Sequence, residues 1–208
     1  MEADNSIWHK PGHFYFALTA SGRVSVCDNS HAMSFELQPT LRGELVTLRP
    51  LRPDEFDALY AVASDPLIWE QHPQPDRYKE EVFREYFRGA IESGGAFLVL
   101  DAKTGEIIGS TRFYEYHEAE SEIEIGWTFL ARSRWGGAYN REMKQRMVRH
   151  ALQYVDTVVF RVGMQNMRSQ RAMEKIGGLR AGTRLDDQGR ENVLFKISRA
   201  SFAAAASR

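Results

Sequence analysis

From residue 45 onward, apolar and polar positions alternate in short blocks that read as strands and helices in turn. The stretch 45–51 has strand periodicity and is closed by Pro50 and Pro53. Across 54–64 the apolar residues Phe56, Leu59, Tyr60 and Ala63 share one helical stripe, which Asp65-Pro66 stops. After a proline-bearing connection (Pro73, Pro75), the spacing of Phe83, Phe87, Ala90 and Ile91 predicts a second amphipathic helix over 79–91. Three strands follow at 96–101, 107–114 and 122–130, and Lys103-Thr104-Gly105 supplies a hairpin turn between the first two. The longest helix is expected over 139–154, with Met143, Met147, Ala151 and Tyr154 inward. The stretch 158–162 reads as a short strand buried on both faces, and 168–176 as a helix ended by Gly177-Gly178. Strands at 179–184 and 192–197, separated by Asp187-Gln188-Gly189, complete the pattern.

The order is β-α-α-β-β-β-α-β-α-β-β. Antiparallel strands feeding a β-α-β unit predict an α/β (α+β) fold, a single mixed, mostly antiparallel central sheet flanked by helices. Residues 33–200 form the expected domain. Residues 1–32 stand apart as an extension with a hairpin candidate at 14–18 and 24–27, and Met33 is read as an alternative start. Residues 201–208 are an alanine-rich tail, and no internal repeat is found.

Length and charge narrow the function classes. A chain of 208 residues has room for one full core and little room for two. With 27 basic and 28 acidic side chains, a binder dominated by phosphate neutralisation is disfavoured, which argues against nucleic acid as partner. Cys27 is alone, so no intrachain disulfide exists. No apolar run approaches the roughly 20 residues that span a bilayer, and the start Met1-Glu2-Ala3-Asp4 is acidic where a signal peptide is basic. A cytoplasmic protein with neither membrane nor metal partner is expected.

Three short segments carry candidate chemistry. The first, Trp135-Gly136-Gly137-Ala138-Tyr139-Asn140, opens the long helix and is preceded by Arg132 and Arg134. Unpaired N–H groups, the helix dipole and glycines that admit a ligand close to the backbone make an oxyanion cradle. It lacks the lysine of a P-loop and the spacing of a dinucleotide fingerprint. A plain strand-to-helix reversal uses the same glycines. The second segment is Glu122-Ile123-Glu124-Ile125-Gly126-Trp127. Strand alternation puts Glu122 and Glu124 on one face and Ile123, Ile125 and Trp127 on the other, while Gly126 marks a bulge or a close approach. A desolvated glutamate there would serve as general base; a solvated strand face would hold the same residues. The third is Asn166-Met167-Arg168-Ser169, where Asn166 is an N-cap and Ser169 lies in the first helical turn.

In this order the segments resemble the GNAT superfamily of acyl-CoA-dependent N-acetyltransferases, most closely the branch of ribosomal-protein N-terminal acetyltransferases. The resemblance covers about 41–197. Residues 41–50 are similar to that branch's first strand, 124–127 to its central strand, and Asn166-x-x-Ser169-x-x-Ala172-x-x-Lys175-x-Gly177 to its second cofactor segment. It implies transfer of an acetyl group from acetyl-CoA to a primary amine, either a protein N-terminus or a small molecule. It implies pantetheine along Trp127, Thr128, Phe129 and Leu130, and pyrophosphate on Gly136, Gly137, Ala138, Tyr139 and Asn140, with Arg134 and Trp135 beside them. Glu124 is then the base acting through water, Ser169 the acid or thiolate partner, and Asn166 the residue that orients the cofactor. The loop 70–75 and the first two helices would wall the acceptor side, where Trp69, His72 and Tyr114 are candidates. The chain departs from the family's Arg/Gln-x-x-Gly-x-Gly/Ala pattern at Ala138 and Asn140. These departures motivate the alternative, a non-catalytic acyl-CoA-binding regulatory module. A monomer or a homodimer paired through an exposed final strand fits the resemblance.

Overall fold

The computed structural model describes residues 35–72, 74–186 and 189–207. The extension 1–32, with its expected hairpin, lies outside them. One eight-stranded sheet organises the described chain, in the order β1-β2-β3-β4-β5-β6-β8-β7. The strands are β1 Leu41–Arg42, β2 Val46–Pro50, β3 Ala96–Asp101, β4 Ile107–His117, β5 Glu122–Leu130, β6 Thr157–Gly163, β7 Leu179–Leu185 and β8 Glu191–Ser198. All neighbours are antiparallel except β5 and β6. The helices are α1 Phe56–Ala63, α2 Glu80–Glu92, α3 Ala138–Ala151, α4 Met167–Lys175 and α5 Arg199–Ala206.

Strand alternation sorts side chains into a core on each face. Val46, Leu48, Phe97, Val99, Ile123 and Ile125 point to one face and pack with Met143, Met147 and Ala151 of α3 and Met173 of α4. Ala96 and Leu98, one residue out of phase, join Leu59 of α1 and Phe83, Phe87 and Ala90 of α2 on the other. Among the described residues no helix is long and apolar enough to cross a membrane.

The structure corrects four local readings. Residues 41–50 are a two-stranded hairpin rather than one strand, because the chain turns at Gly43-Glu44. The Glu142 carboxylate on α3 accepts the backbone N–H groups of Glu44 (2.8 Å), Leu45 (2.7 Å) and Val46 (3.0 Å), so the turn is held by a residue about a hundred positions away. The last strand, β8, is not an exposed edge; it lies between β6 and β7, and β7 is the edge. The alanine-rich tail, taken to begin at residue 201 with no element assigned, joins the end of the domain in α5, Arg199–Ala206, which is capped by Ser198 and anchored by Phe202 against the core. Finally, Trp127 does not share the face of Ile123 and Ile125. The β4–β5 register slips between Ser110 and Arg112, and Trp127 takes φ 53°. This bulge re-aims the ring toward Tyr86 and Tyr114.

Replacing Glu142 with alanine leaves three amides of the β1–β2 turn without their acceptor. The expected cost is about 2 kcal/mol, read as a lower urea midpoint. Burial alone would raise the Glu142 pKa, but the three amides and Arg146 hold it below the ordinary value. That stability is therefore present above the unfolded carboxylate pKa and is lost as pH falls through the depressed folded one. The gap between parent and variant should narrow on acidification.

Candidate active site

The site follows from a failure of pairing. Parallel contact between β5 and β6 covers only Glu122–Glu124 against Thr157–Val159; beyond it the two strands no longer pair with each other, β5 staying on β4 to Leu130 and β6 on β8 to Gly163. A groove of about 830 Å³ lies over this splay, walled by β5, the turn into α3, β6 and the start of α4.

The groove collects the residues predicted for catalysis and cofactor binding except Glu124 and Tyr139. Trp127, Thr128, Phe129, Leu130, Arg134, Trp135, Gly136, Gly137, Ala138, Asn140, Asn166 and Ser169 all line it. Gly136 and Gly137 both take φ 105°, a left-handed conformation that side chains rarely adopt, and the space above each is open. They release the chain into α3, whose N-terminal N–H groups open on the groove. Trp135 is fixed by its Nε1 donating to the Leu130 carbonyl (2.9 Å), and the Arg168 guanidinium lies 4.3 Å from its ring centre. Asn166 caps α4 by accepting the Ser169 N–H at 3.1 Å, which sets Ser169 in the groove wall. Arg134 pairs with Asp101 and Glu106, both at 3.2 Å. The Tyr139 hydroxyl donates to Asp101 (2.9 Å), so its side chain braces β3 instead of facing the groove.

Glu124 stands just outside the groove wall. It is 8% exposed, and its Oε2 accepts Arg161 Nε at 2.5 Å, while Arg161 also holds Glu115. Its other oxygen overhangs Gly126, where an added Cβ would come within 3.2 Å of it. Burial raises the Glu124 pKa against the opposing charge and hydrogen bond of Arg161. Its neighbour Trp127 holds a left-handed φ of 53° with a bulky side chain, strain of the kind found where geometry serves function.

Of the acceptor candidates, His72 lines the groove. Trp69 is 1% exposed and donates to the Ala63 carbonyl (2.7 Å), a core role. Tyr114 packs beside Trp127.

Sequence reasoning missed Lys144 and Arg161. Lys144 is 5% exposed, lines the groove and donates to Thr128 Oγ1 at 2.6 Å. Burial pushes its pKa down to about 7, with Glu124 opposing. A signal existed, because Lys144 shares the i, i+3, i+7 row of Met147 and Ala151. Arg161 likewise interrupts an otherwise apolar strand, a pattern that demands a buried counter-charge.

Charge in the groove is one-sided. Arg134, Arg141, Lys144, Arg161, Arg168, Arg171 and Lys175 line it, and no described aspartate or glutamate does. Arg141, Arg168, Arg171 and Lys175 make no ion pair with any described residue. Together with the α3 N-terminus, this suits a ligand with several phosphates.

Comparison with known proteins agrees with this geometry. Residues 46–178 match the family described as Acetyltransferase (GNAT) domain. No curated protein matches the chain as a sequence relative. Among solved structures, a GCN5-related N-acetyltransferase from Brucella melitensis superimposes with a TM-score of 0.71 at 19% identity, covering 84% of this chain and 85% of that one. Mycobacterium smegmatis RimJ in complex with CoA-disulfide gives 0.63 at 19% identity, over 81% and 91%. Spermidine N-acetyltransferase from Vibrio cholerae, in complex with CoA and spermine, gives 0.59 at 16%, over 77% and 99%. At these identities the three structures establish a shared fold.

Proposed function

Starting from the premise that the chain belongs to the GNAT acetyltransferase family, we propose that it moves an acetyl group from acetyl-CoA to a primary amine by direct attack on the thioester. The observation that carries this reading is the groove itself. A β5/β6 splay ends at two left-handed glycines and a helix N-terminus, with cations and no carboxylate among the described residues of its wall. The structures of RimJ and of the spermidine enzyme hold CoA on the same fold. The residues fit the co-substrate. The open space above Gly136 and Gly137 admits a pyrophosphate against the backbone, Asn140 adds an amide donor, and the unpaired arginines answer further phosphate charge.

The chemistry asks little. An ammonium loses a proton, the amine attacks the thioester carbonyl carbon, the C–S bond breaks, and the nitrogen's second proton passes to the departing thiolate. Glu124 is assigned as the base, receiving the amine proton through water. Its raised pKa supports the role, since a base is most effective with a pKa near working pH. Ser169, in the groove wall, is assigned to the thiolate, and Asn166 sets its position. Incubation with acetyl-CoA and an amine panel should release free thiol in step with amine acetylation. CoA binding without release on every amine would instead establish the non-catalytic acyl-CoA module.

Gly137 gives a direct check on the phosphate cradle. Valine at φ 105° costs about 1–3 kcal/mol of backbone strain, which the turn relieves by moving. Gly137→Val is therefore expected to weaken CoA binding by about 10- to 100-fold, measured by calorimetry, with the unfolding midpoint little changed. Unaltered affinity would mean that the phosphates bind elsewhere.

A further inference from the structure

Behind the acceptor end of the groove stand two buried guanidinia that make no ion pair with any described residue. Ile68, Gln71, His72 and Trp127 form that end. Behind them lie Arg77 and Arg112, each 4% exposed. Both guanidinia crowd the Trp127 ring, at 5.0 Å and 4.0 Å from its centre, and both also lie over Tyr86. Their polar partners are all neutral. Arg77 donates to Gln74 Oε1 (2.9 Å) and meets a His72 ring nitrogen at 3.1 Å. Arg112 donates to the Gly89 carbonyl (2.7 Å), and its buried Nε has no partner. Neither forms an ion pair with any described residue. Nearby Glu115 and Glu124 make their ion pairs with Arg161, and Glu124 reaches Arg112 only as a more distant charge that opposes the lowering of the Arg112 pKa by burial.

The titratable groups around this cluster do not change its sign. Burial pushes Arg77 down to about 10, which leaves it protonated at neutral pH. Burial, with Arg77 and Arg190, pushes His72 down to about 3, so it stays uncharged. Tyr86 is held neutral, its pKa raised by burial. Aromatic faces offset part of the cost of burying two guanidinia but supply no counter-charge. Their field therefore reaches the groove across the Trp127–His72 wall, and the buried side chains between screen it less than water would.

We propose that the acceptor amine is a small molecule that also carries a carboxylate, an amino acid rather than a polyamine, and that Arg77 and Arg112 select it. The proposal rests on the acetyltransferase reading for where the acceptor binds. The arginines are specificity-determining residues that act through the wall on the acceptor's charge. A polycation such as the spermine bound to the Vibrio cholerae neighbour would be repelled by the same field.

Two measurements on the full chain test this. With saturating acetyl-CoA, kcat/KM is compared for L-amino acids, their carboxamides and spermidine. Calorimetry on the CoA-loaded protein compares each N-acetyl-L-amino acid with its carboxamide and with N-acetylspermidine, which requires no turnover. At least one carboxylate should be preferred over its carboxamide by tenfold or more in both assays. Arg77→Met and Arg112→Met should reduce that ratio toward one, and Arg112→Lys should restore much of it. The comparison on the unsubstituted protein stands even where a variant fails to fold. Equal or absent binding of carboxylate and carboxamide, or faster turnover of spermidine, overturns the proposal and leaves the acetyltransferase reading intact. Preferential carboxylate binding with no turnover of any amine supports the anion-selective site and removes the catalytic reading.

Discussion

Replacing Arg161 with methionine is expected to destabilise the fold by about 3–5 kcal/mol. Arg161 sits on β6 and reaches two carboxylates, Glu124 on β5 and Glu115 on β4, so one guanidinium ties three strands together beside the groove. Methionine fills similar volume but leaves Glu124 buried and uncompensated, facing a second negative charge. Acidity should reveal the cause. Burial already raises the Glu124 pKa above its ordinary 4.5, and the Arg161 charge and hydrogen bond restrain that rise. For a carboxylate raised on folding, the linked stability is fully present below the unfolded pKa and is lost as pH climbs through the folded one. Removing Arg161 raises the folded pKa further, so the added loss accumulates as pH rises above the parent's own raised folded pKa and is complete once it passes the variant's. Urea unfolding of parent and variant at acidic and mildly alkaline pH measures it. A deficit that does not shrink on acidification would mean that packing, not charge, is what Arg161 supplies.

Glu124→Gln is expected to lower kcat by about 100-fold or more while leaving CoA affinity nearly unchanged, because Glu124 is outside the groove wall. Glutamine keeps the shape and can still accept from Arg161, so the fold should persist. It cannot take a proton. In the parent enzyme the rate should fall on the acid side as Glu124 becomes protonated, at a pH above the usual carboxylate range. That acid limb should vanish from the residual activity of the variant. Turnover equal to the parent would remove Glu124 as base and leave positioning of the amine against the thioester as the main source of rate.

The two substitutions separate roles that meet on one side chain. Arg161 holds the Glu124 carboxylate in place, and the absence of a side chain at Gly126 keeps a Cβ from crowding its second oxygen. A carboxylate held this way is costly to the fold, and the two variants read that cost and the proposed proton transfer separately.

Most of the architecture was legible in the sequence because it depends on local periodicity. The runs 96–101 and 122–130 coincide with β3 and β5, and the stripe of Met143, Met147 and Ala151 marked the inner face of α3 correctly. The order of the glycine turn and Asn166-x-x-Ser169 placed nearly every predicted residue on one groove, since each lies at a strand-to-helix junction that the fold brings to the same end of the sheet. What the sequence by itself determined was therefore the mixed sheet, its helices and the site's backbone junctions. Tertiary structure alone decided which face Trp127 occupies, because a bulge changes strand parity through the register of a partner strand. It also decided that Glu124 is bound by Arg161, that Lys144 loses its proton more readily, and that Arg77 and Arg112 share one aromatic cluster with no ion pair to any described residue. Those facts arise between residues distant in the chain, and charge acts through space and burial, which no local pattern records.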